Sequence, residues 1–326
     1  MITGTVSKAL ALAVGLLSLC PAAVLAQAWP SKPIRLIIPF PPGGATDIVG
    51  RIIGQNLSER LGQQIAVDNR AGADGIVGLE LLKKASPDGY TLAVVSAGPL
   101  AVNPHLYKKL SYDTLRDFTS ISNLVSVPLL LVARSSLPAR NVKELIALAK
   151  ARPNQVSYSS PGVGNSSHLA SELFNSVAQV KIIHIPYKGM APAVLSVLSG
   201  EADTLFSSIP PILQHVRSGK VVALGIGSAQ RVQSLPEVPT IAEAGLPGYE
   251  AYSWTGMIGP AGMPRNIVAR LNTEINEILK QKKVSDQLMS DGTVPMPSTP
   301  EEFTAFMQSE LKKWGDVVTM ANIKID

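Results

Sequence analysis

Apolar residues in the first part of the sequence follow two spacings, and the alternation of these spacings predicts an α/β protein. Ile34–Ile38 is a short apolar run of the kind found in buried strands. A helix is predicted from about Asp47 to Leu61, because apolar residues recur there every three or four positions. The first set is completed by strands at Ile65–Val67 and Thr91–Val95 and by a helix at Ile76–Lys84.

A second set of the same kind begins with the apolar run Val127–Val132. Asn141 is predicted to cap a helix that ends near Ala151, with Glu144 as its capping-box partner. The remaining members of this set are strands at Val156–Ser159, Ile182–Ile185, Ala202–Phe206 and Val221–Ile226, and helices at Ser166–Val177 and Ala191–Leu198.

The last third of the sequence predicts a long loop followed by two helices. Gln230–Tyr249 is rich in proline and glycine, and we expect a loop with one short helix. One terminal helix is predicted to begin near Pro264, with a regular apolar face. The other has Thr299 as its cap, Pro300 at its first position and Glu302 at its third.

Strands that alternate with helices indicate mainly parallel sheets covered by helices on both faces. About 300 residues exceed what one core usually fills, and the terminal helices must return to the first set. We therefore predict two lobes joined by crossing strands. Ligands of open α/β sheets bind at the carboxyl ends of strands, so two facing lobes would form a cleft there.

The first 26 residues are predicted to be a cleaved export signal. Lys8 supplies the positive charge, Ala9–Leu19 is an apolar run too short to span a bilayer comfortably, and Val24–Ala26 suits cleavage before Gln27. Lipid attachment at Cys20 is the alternative, although Leu19 is bulky for such a site. No later stretch is long and apolar enough for a membrane helix, so a soluble mature protein is expected.

The composition of the chain excludes several kinds of functional site. Cys20 is the only cysteine, so the mature chain would have no disulfide, no thiolate metal site and no cysteine nucleophile. Without Lys8 the chain keeps 28 basic and 24 acidic residues, a net charge of +4 with no basic block. This distribution argues against nucleic-acid binding and suits small anions. No metal site is expected, because His105 and His215 lack partners at a suitable spacing, and no cofactor is expected either.

The segment Pro39–Asp47, PFPPGGATD, is the strongest candidate for a binding loop. It lies between a predicted strand and a predicted helix, where backbone amides without partners and the positive end of the helix dipole attract anions. Its glycines leave room for a ligand to contact the backbone. Asp47 has several open interpretations: it holds the loop or a water, receives a ligand amine, or is an ordinary first-turn acid.

A second loop of the same kind, Tyr158–His168, lies between a strand and a helix of the second set. It offers amides, hydroxyl groups and a histidine near a helix start; an ordinary serine-capped turn is the alternative. Two such loops in different lobes favour a ligand site. The segment has Ser167 where a dinucleotide-binding fingerprint would need its last glycine. The sequence also lacks a P-loop, a GxSxG nucleophile elbow, an HExxH motif and an EF-hand loop.

Several long segments resemble the periplasmic substrate-binding receptors of tripartite tricarboxylate transporters, the Bug family. They include PFPPGGATD at Pro39, NRAGADGIVG at Asn69, HIPYKG at His184, LPEVPTIAEAGLPGYE at Leu235 and SWTGMIGPAGMP at Ser253. The resemblance implies a Venus-flytrap fold, with residues 27–125 and 250–326 in lobe 1 and residues 126–249 in lobe 2. It also implies a periplasmic location and a membrane permease as partner.

In such receptors two facing loops hold a ligand carboxylate, largely through backbone amides and ordered waters. The resemblance places this role on Pro42, Gly43, Gly44, Ala45, Thr46 and Asp47, and in the second lobe on Gly162, Val163, Gly164, Asn165 and His168. Ser96, Asn103, Ser207 and Ser208 follow strands that face the cleft and are further candidates.

The sequence departs from the family pattern at two places. Asn165 stands where a serine is expected, and Ser207-Ser208 replaces a pair of the Asp-Asn type that some relatives carry. The second departure favours a plain carboxylate over an amino acid. The expected function is a monomeric receptor for a mono-, di- or tricarboxylate. A secreted two-lobed enzyme and a ligand-sensing subunit of a signalling system are the alternatives.

Overall fold

Both predicted sets of strands and helices are present in the computed structural model, which describes residues 29–290 and 292–324. The predicted export signal lies outside the described residues. The first set consists of β1 (Ile34–Ile38), α1 (Ala45–Leu61), β2 (Ile65–Asn69), α2 (Ile76–Lys83), β3 (Thr91–Ser96) and the short α3 (Asn103–Leu106).

The second set begins with one long strand, β4 (Phe118–Arg134). It continues with α4 (Val142–Ala151), β5 (Ser157–Ser160), α5 (Ser166–Ala178), β6 (Ile183–Pro186), α6 (Met190–Ser199), β7 (Thr204–Ser208), α7 (Ile209–Arg217) and β8 (Val221–Ile226). The chain then forms β9 (Tyr252–Pro260), α8 (Arg265–Lys280), α9 (Lys282–Ser290), β10 (Val294–Pro295) and α10 (Pro300–Met320).

Strand β4 belongs to both halves of the molecule. The strands are ordered β2-β1-β3-β9-β4-β7-β5-β6, with β8 and β10 also paired to β4. The first part of β4, from Phe118 to Pro128, pairs antiparallel with β9, and its second part, from Leu129 to Arg134, pairs with β7 and β8. The outer strands of each half pair in parallel. The result is the predicted two-lobed α/β fold with mixed sheets flanked by helices.

Burial explains why the periodic segments form these elements. Strand β1 is buried except for Arg35. Helix α1 buries Ile52, Ile53, Leu57 and Leu61 on the face that the sequence pattern predicts, and α8 does the same with Ile267, Val268, Leu271, Ile275 and Ile278. Packing of these stripes on the sheets places the carboxyl ends of β1 and β3, and of β5 and β7, beside the loops predicted to bind ligand.

Three sequence predictions differ from the structure. Val127–Val132 is the end of β4 and not the start of a new strand. The short helix predicted within Gln230–Tyr249 is wrong, because the backbone there forms turns and one isolated bridge from Thr240 to Ile226. Five elements were not predicted from the sequence at all, and these are α3, α7, β9, α9 and β10.

The helix caps follow the sequence closely. Thr299 and Glu302 form a complete capping box at the start of α10. At α4, the Asn141 side chain accepts from the Glu144 amide, but the Glu144 carboxylate accepts from the Arg140 amide instead of the Asn141 amide, so that box is only half formed. Within the described residues, no helix combines the length and apolar character needed to cross a bilayer.

Candidate functional site

Loop 1, residues Pro39–Gly44, joins the carboxyl end of β1 to α1. Gly44 is the N-cap of α1, and no side chain caps the helix there. The first amides of a helix have no partner within the helix, so α1 presents free donors and the positive end of its dipole. Gly43 has a φ of 85°, which glycine adopts far more readily than other residues. The geometry of loop 1 therefore suits an anion.

Asp47 holds loop 1 in place from inside. Its Oδ2 accepts from the Gly43 amide and from Arg51 Nε, each at 2.9 Å, and its Oδ1 accepts from Asn69 Nδ2 at 2.8 Å. Asn69 Nδ2 also donates to the Phe40 carbonyl at 3.0 Å. The buried Asp47 carboxylate has these partners on both oxygens, so of the open interpretations the structure favours a residue that fastens the loop.

The electrostatics of Asp47 agree with this role. Burial alone would raise the pKa of its carboxyl, but hydrogen bonds from Arg51, the Gly43 amide and Asn69 outweigh burial and hold the pKa at about 2. The carboxylate is thus ionised at any pH at which the protein is expected to work. Loop 1 is fixed by a permanent charge at the first turn of α1, where the helix dipole favours it.

Loop 2, residues Pro161–Asn165, joins β5 to α5 in the other lobe. The Asn165 side chain caps α5: its Oδ1 accepts from the amides of Ser167 at 2.9 Å and His168 at 3.1 Å. Its Nδ2 donates to the Gly162 carbonyl. The residue that departs from the family pattern therefore performs the capping that a serine would perform at this position.

Beneath loop 2, three aromatic rings stack. The Tyr158 ring lies on the His184 ring with centroids 4.8 Å apart, and the His184 ring lies on the His168 ring at 4.1 Å. The Gly164 amide donates to His168 Nδ1 at 3.0 Å, so this imidazole is neutral and carries its proton on Nε2. The stack supports loop 2 from below.

Both histidines are neutral for a physical reason. Burial lowers the pKa of His168 to about 3, and the neighbouring His184 adds to this effect. Burial also lowers the pKa of His184 to about 4. Two imidazolium cations stacked at this distance would repel each other strongly, so the rings cannot both be positively charged. The ring of His184 therefore packs between Tyr158 and His168 as a neutral group.

Ser160 and His184 form a serine–histidine pair that is not arranged for nucleophilic catalysis. His184 Nε2 lies 2.7 Å from Ser160 Oγ, and Ser160 Oγ donates its proton to the Gly162 carbonyl at 2.9 Å. A hydroxyl has one proton, so His184 Nε2 must be the donor in their contact and cannot act as a base toward Ser160. Ser160 is also fully buried, out of reach of a substrate.

Two cavities lie next to the loops. One, of about 170 Å³, is lined from lobe 1 by Ser96 and from lobe 2 by Gly164 and Asn165. The other, of about 370 Å³, brings Gly43 and Ala45 of lobe 1 close to Ser208, and its walls are mainly apolar. The apolar walls include Ile48, Val49, Val127, Pro210, Pro211 and Leu288. Six of the predicted site residues therefore face space between the lobes.

The other predicted residues are buried or line neither cavity. Asn103 is 1% exposed and donates to the Asp74 carbonyl, and Ser207 is fully buried and donates to the Ser208 carbonyl. Asp47 and His168 are the buried supports already described. The remaining predicted residues belong to loop 1, loop 2 or the first turn of α1 without lining either cavity: Pro42, Gly44, Thr46, Gly162 and Val163.

Sequence reasoning missed several residues that line the smaller cavity. Asp74, Gly98, Tyr252, Ser253 and Trp314 all contribute to its walls. Asp74 lies between Gly72 and Gly75 in the segment NRAGADGIVG, and these glycines were the sequence signal for a tight turn there. Tyr252 and Ser253 belong to β9, which was not predicted as a strand. In the part of the chain that the structure describes, no group of three or more His, Cys, Asp or Glu side chains could hold a metal ion.

The comparisons with known proteins point to one family. The profile described as "Tripartite tricarboxylate transporter family receptor" matches residues 49–323. A UPF0065 protein from the tcbD-tcbE intergenic region of Pseudomonas sp. (strain P51) is 40% identical over 90% of this chain and 87% of its own length. BugT of Bordetella pertussis is 38% identical over 93% of this chain and 94% of its own length.

Two solved structures are similar to this chain in both sequence and fold. A protein of R. palustris solved with adipate is 34% identical, covers 91% of this chain and 99% of its own chain, and superposes with a TM-score of 0.76. MatC from Rhodopseudomonas palustris, solved with bound malate, is 33% identical, covers 89% of this chain and all of its own chain, and has a TM-score of 0.71.

Proposed function

The chain belongs to the tripartite tricarboxylate transporter receptor family, and on that premise we propose that it binds a small organic carboxylate between its lobes and delivers it to a membrane permease. The observation that carries the proposal is the uncapped start of α1 in loop 1. It presents free backbone amides at the carboxyl end of β1, beside a cavity that Ser208 lines from the other lobe.

The nature of the ligand rests on chemistry and on the relatives. Backbone amides at a helix start bind an anion without neutralising it by a buried cation. The two solved relatives were found with adipate and malate, which are both carboxylates. A carboxylate whose charge lies at loop 1 and whose body extends into the space between the lobes fits this arrangement.

The proposed mechanism is closure of the two lobes around the ligand. We assign residues 27–125 and 250–326 to lobe 1 and residues 126–249 to lobe 2, with Gln27 as the mature N-terminus in the periplasm. Strand β4 runs from lobe 1 into lobe 2, and it supplies the hinge together with the connection that leads into β9. A ligand held by both loops favours the closed state, because only closure brings the two sets of contacts together.

An enzyme acting on a small carboxylate is the weaker proposal. The one serine–histidine pair beside loop 2 has the wrong proton arrangement and a buried serine. A sensing subunit would share the same binding site and differ only in its partner. We propose a monomeric receptor that needs no cofactor.

A ligand screen tests the proposal. Thermal unfolding is followed with mono-, di- and tricarboxylates, with uncharged amides of the same acids as matched controls. A cognate carboxylate at a hundredfold excess over Kd should stabilise the protein by about 2.7 kcal/mol, and its amide should not. Turnover of the stabilising compound during incubation would favour the enzyme, and a screen in which no carboxylate stabilises the protein would contradict the proposal.

A further inference from the structure

Four consecutive residues in lobe 1 have positive φ angles. Gly72, Ala73, Asp74 and Gly75 have φ values of 146°, 46°, 49° and 88°. The left-handed conformation costs free energy at residues with a Cβ, and such strain concentrates at functional sites. Glycine tolerates it at two positions and aspartate accepts it more readily than most residues, but Ala73 adopts it without that freedom. The turn therefore holds Asp74 in a position that an ordinary turn would not give.

Buried contacts keep this turn in place. Asn103, which is 1% exposed, donates from Nδ2 to the Asp74 carbonyl at 3.1 Å. The Gly75 amide donates to the Gly72 carbonyl at 3.0 Å. A Cβ at Gly75 would lie 2.6 Å from Pro99 Cγ, so the turn packs closely on Pro99. The predicted candidate Asn103 thus acts on the cleft through Asp74.

The Asp74 carboxylate lies in the smaller cavity between the lobes. Its Oδ2 is 3.7 Å from the position that a Cβ of Gly98 would take. Across the same cavity lie Gly164, Asn165 and Ser166 at the start of α5. Asp74 is the one charged residue among the described residues that line this cavity, and it forms no salt bridge within the described part of the chain.

A carboxylate in a cleft that closes around an anion is stable only when a hydrogen-bond donor or a positive charge pairs with it. Asp74 is exposed to the cleft, yet the cavity walls remove enough water to raise the pKa of its carboxyl. Lobe closure removes more water and makes an unpaired carboxylate more costly. A ligand that donates a hydrogen bond to Asp74 removes this cost, whereas a second ionised carboxylate at the same place repels it.

We propose that Asp74 is a specificity-determining residue that selects ligands carrying a hydrogen-bond donor, a hydroxyl or an ammonium group, in addition to their carboxylate. This inference rests on the proposed receptor function and names the class of ligand within it. Asp74 gives the smaller cavity an acidic side chain, whereas the Ser207-Ser208 position carries none. Ligands whose second group is a fully ionised carboxylate bind less well for the same reason.

The test uses ligands that differ only at the end remote from the carboxylate. Hexanoate, 6-hydroxyhexanoate, 6-aminohexanoate and adipate form one such series, and the corresponding four-carbon acids form a second. Calorimetry measures Kd for each ligand with the full mature protein, Asp74→Asn and Asp74→Gly. Asparagine and glycine both accept the left-handed backbone, so these variants keep the turn. Asp88→Asn removes the same charge at the opposite end of β3 and is the matched control.

The unaltered protein should bind the hydroxyl or the ammonium member of a series about tenfold more tightly than the methyl and carboxylate members. Asp74→Asn should reduce the advantage of the ammonium member by about tenfold and improve binding of the dicarboxylate, and Asp74→Gly should remove the preference for either donor. Comparison of the affinities for the hydroxyl-bearing and the ammonium-bearing ligands shows whether the protein prefers a hydroxy acid or an amino acid. Asp88→Asn should keep the original preference.

The outcomes distinguish this inference from the proposed function. If no carboxylate of either series or of the wider screen binds, the receptor function fails and the inference fails with it. If carboxylates bind and the order of affinities is the same in the unaltered protein, Asp74→Asn and Asp74→Gly, only the role of Asp74 is overturned.

Discussion

The imidazole rings of His168 and His184 lie face to face, with centroids 4.1 Å apart and an interplanar angle of 11°. His168 accepts from the Gly164 amide, and His184 donates to Ser160, so each histidine fixes one part of loop 2. This contact requires both rings to be neutral. The stability of the loop is therefore linked to pH.

The first prediction is a loss of stability in mild acid. The pKa values of His168 and His184 are about 3 and about 4 in the folded protein, below the ordinary value of 6.5. Between these values and pH 6.5 the unfolded chain binds more protons, so stability is complete above pH 6.5 and falls as pH drops toward 4. Each histidine contributes a slope of up to about 1.4 kcal/mol per pH unit.

Urea denaturation at pH 7.5, 6 and 4.5 measures this slope. His184→Phe keeps a flat ring in the stack and removes one titrating group, so its slope should be smaller. His215→Gln, which removes a histidine outside the stack, should keep the slope of the unaltered protein. A stability that does not change between pH 7.5 and 4.5 would contradict the assignment of neutral, buried rings.

Helices with a regular apolar stripe and local caps could be predicted well from the sequence. Helix α1 and its approach through loop 1 are local features, since an apolar strand, two glycines and a periodic face specify them without distant contacts. The same holds for α10, whose cap, first-turn proline and third-position acid are adjacent in sequence. Such signals need no knowledge of tertiary structure.

Strand β9 and helix α7 could not be predicted, because their sequences carry misleading residues. Gly256 lies in the middle of β9, where a Cβ would overlap the Phe303 ring of α10. Glycine there permits close packing, but in sequence it indicates a loop. Helix α7 contains Pro210 and Pro211 in its first turn, where the missing amide protons cost nothing. Asp74 was missed because its turn depends on Asn103 and Pro99, which are distant in sequence.

The second prediction concerns the fastening of loop 1. Asp47→Ala leaves Arg51, Asn69 and the Gly43 amide without their shared acceptor, so the free energy of unfolding should fall by about 1–3 kcal/mol. Urea denaturation measures the loss, and ligand affinity should fall with it. Asp286→Ala is the matched control: its pair with Lys282 is exposed, so the change should stay below about 0.5 kcal/mol. Equal losses in the two variants would contradict the role of Asp47.

The third prediction concerns the approach of the ligand to loop 1. Gly44 has extended backbone, and a Cβ there would have only the Pro41 carbonyl oxygen nearby, at 3.8 Å. Gly44→Val should therefore fold normally while its side chain obstructs the amides of α1. We expect a loss of carboxylate affinity of at least tenfold with an unchanged melting temperature. Ala151→Val, at an exposed helix end remote from loop 1, should bind as the unaltered protein does.

Calorimetry decides whether loop 1 belongs to the site. Unchanged affinity in a folded Gly44→Val protein would remove loop 1 from the binding site. A drop in melting temperature in the absence of ligand would instead indicate a clash that the backbone geometry does not predict.

The fourth prediction separates capping from ligand contact at Asn165. Asn165→Ala removes the acceptor for the amides of Ser167 and His168 and should cost about 1 kcal/mol of stability. Asn165→Asp keeps the acceptor for these amides but loses the bond from Nδ2 to the Gly162 carbonyl, so it should retain only part of the stability, and its negative charge beside the cleft should weaken carboxylate binding. Asn165→Ser should retain most of both properties. Thermal unfolding and calorimetry on the three variants give the comparison, and an Asp variant that binds carboxylate as well as the unaltered protein would place the ligand away from loop 2.

The most direct test of the account is whether the ligand draws the two lobes together. Small-angle X-ray scattering on the mature protein, with and without a saturating carboxylate identified in the screen, measures the radius of gyration of both states. We predict a smaller radius with the carboxylate, and no change when the uncharged amide of the same acid is added or when Gly44→Val is used. Tight binding of the carboxylate with an unchanged radius of gyration would contradict closure between loop 1 and loop 2.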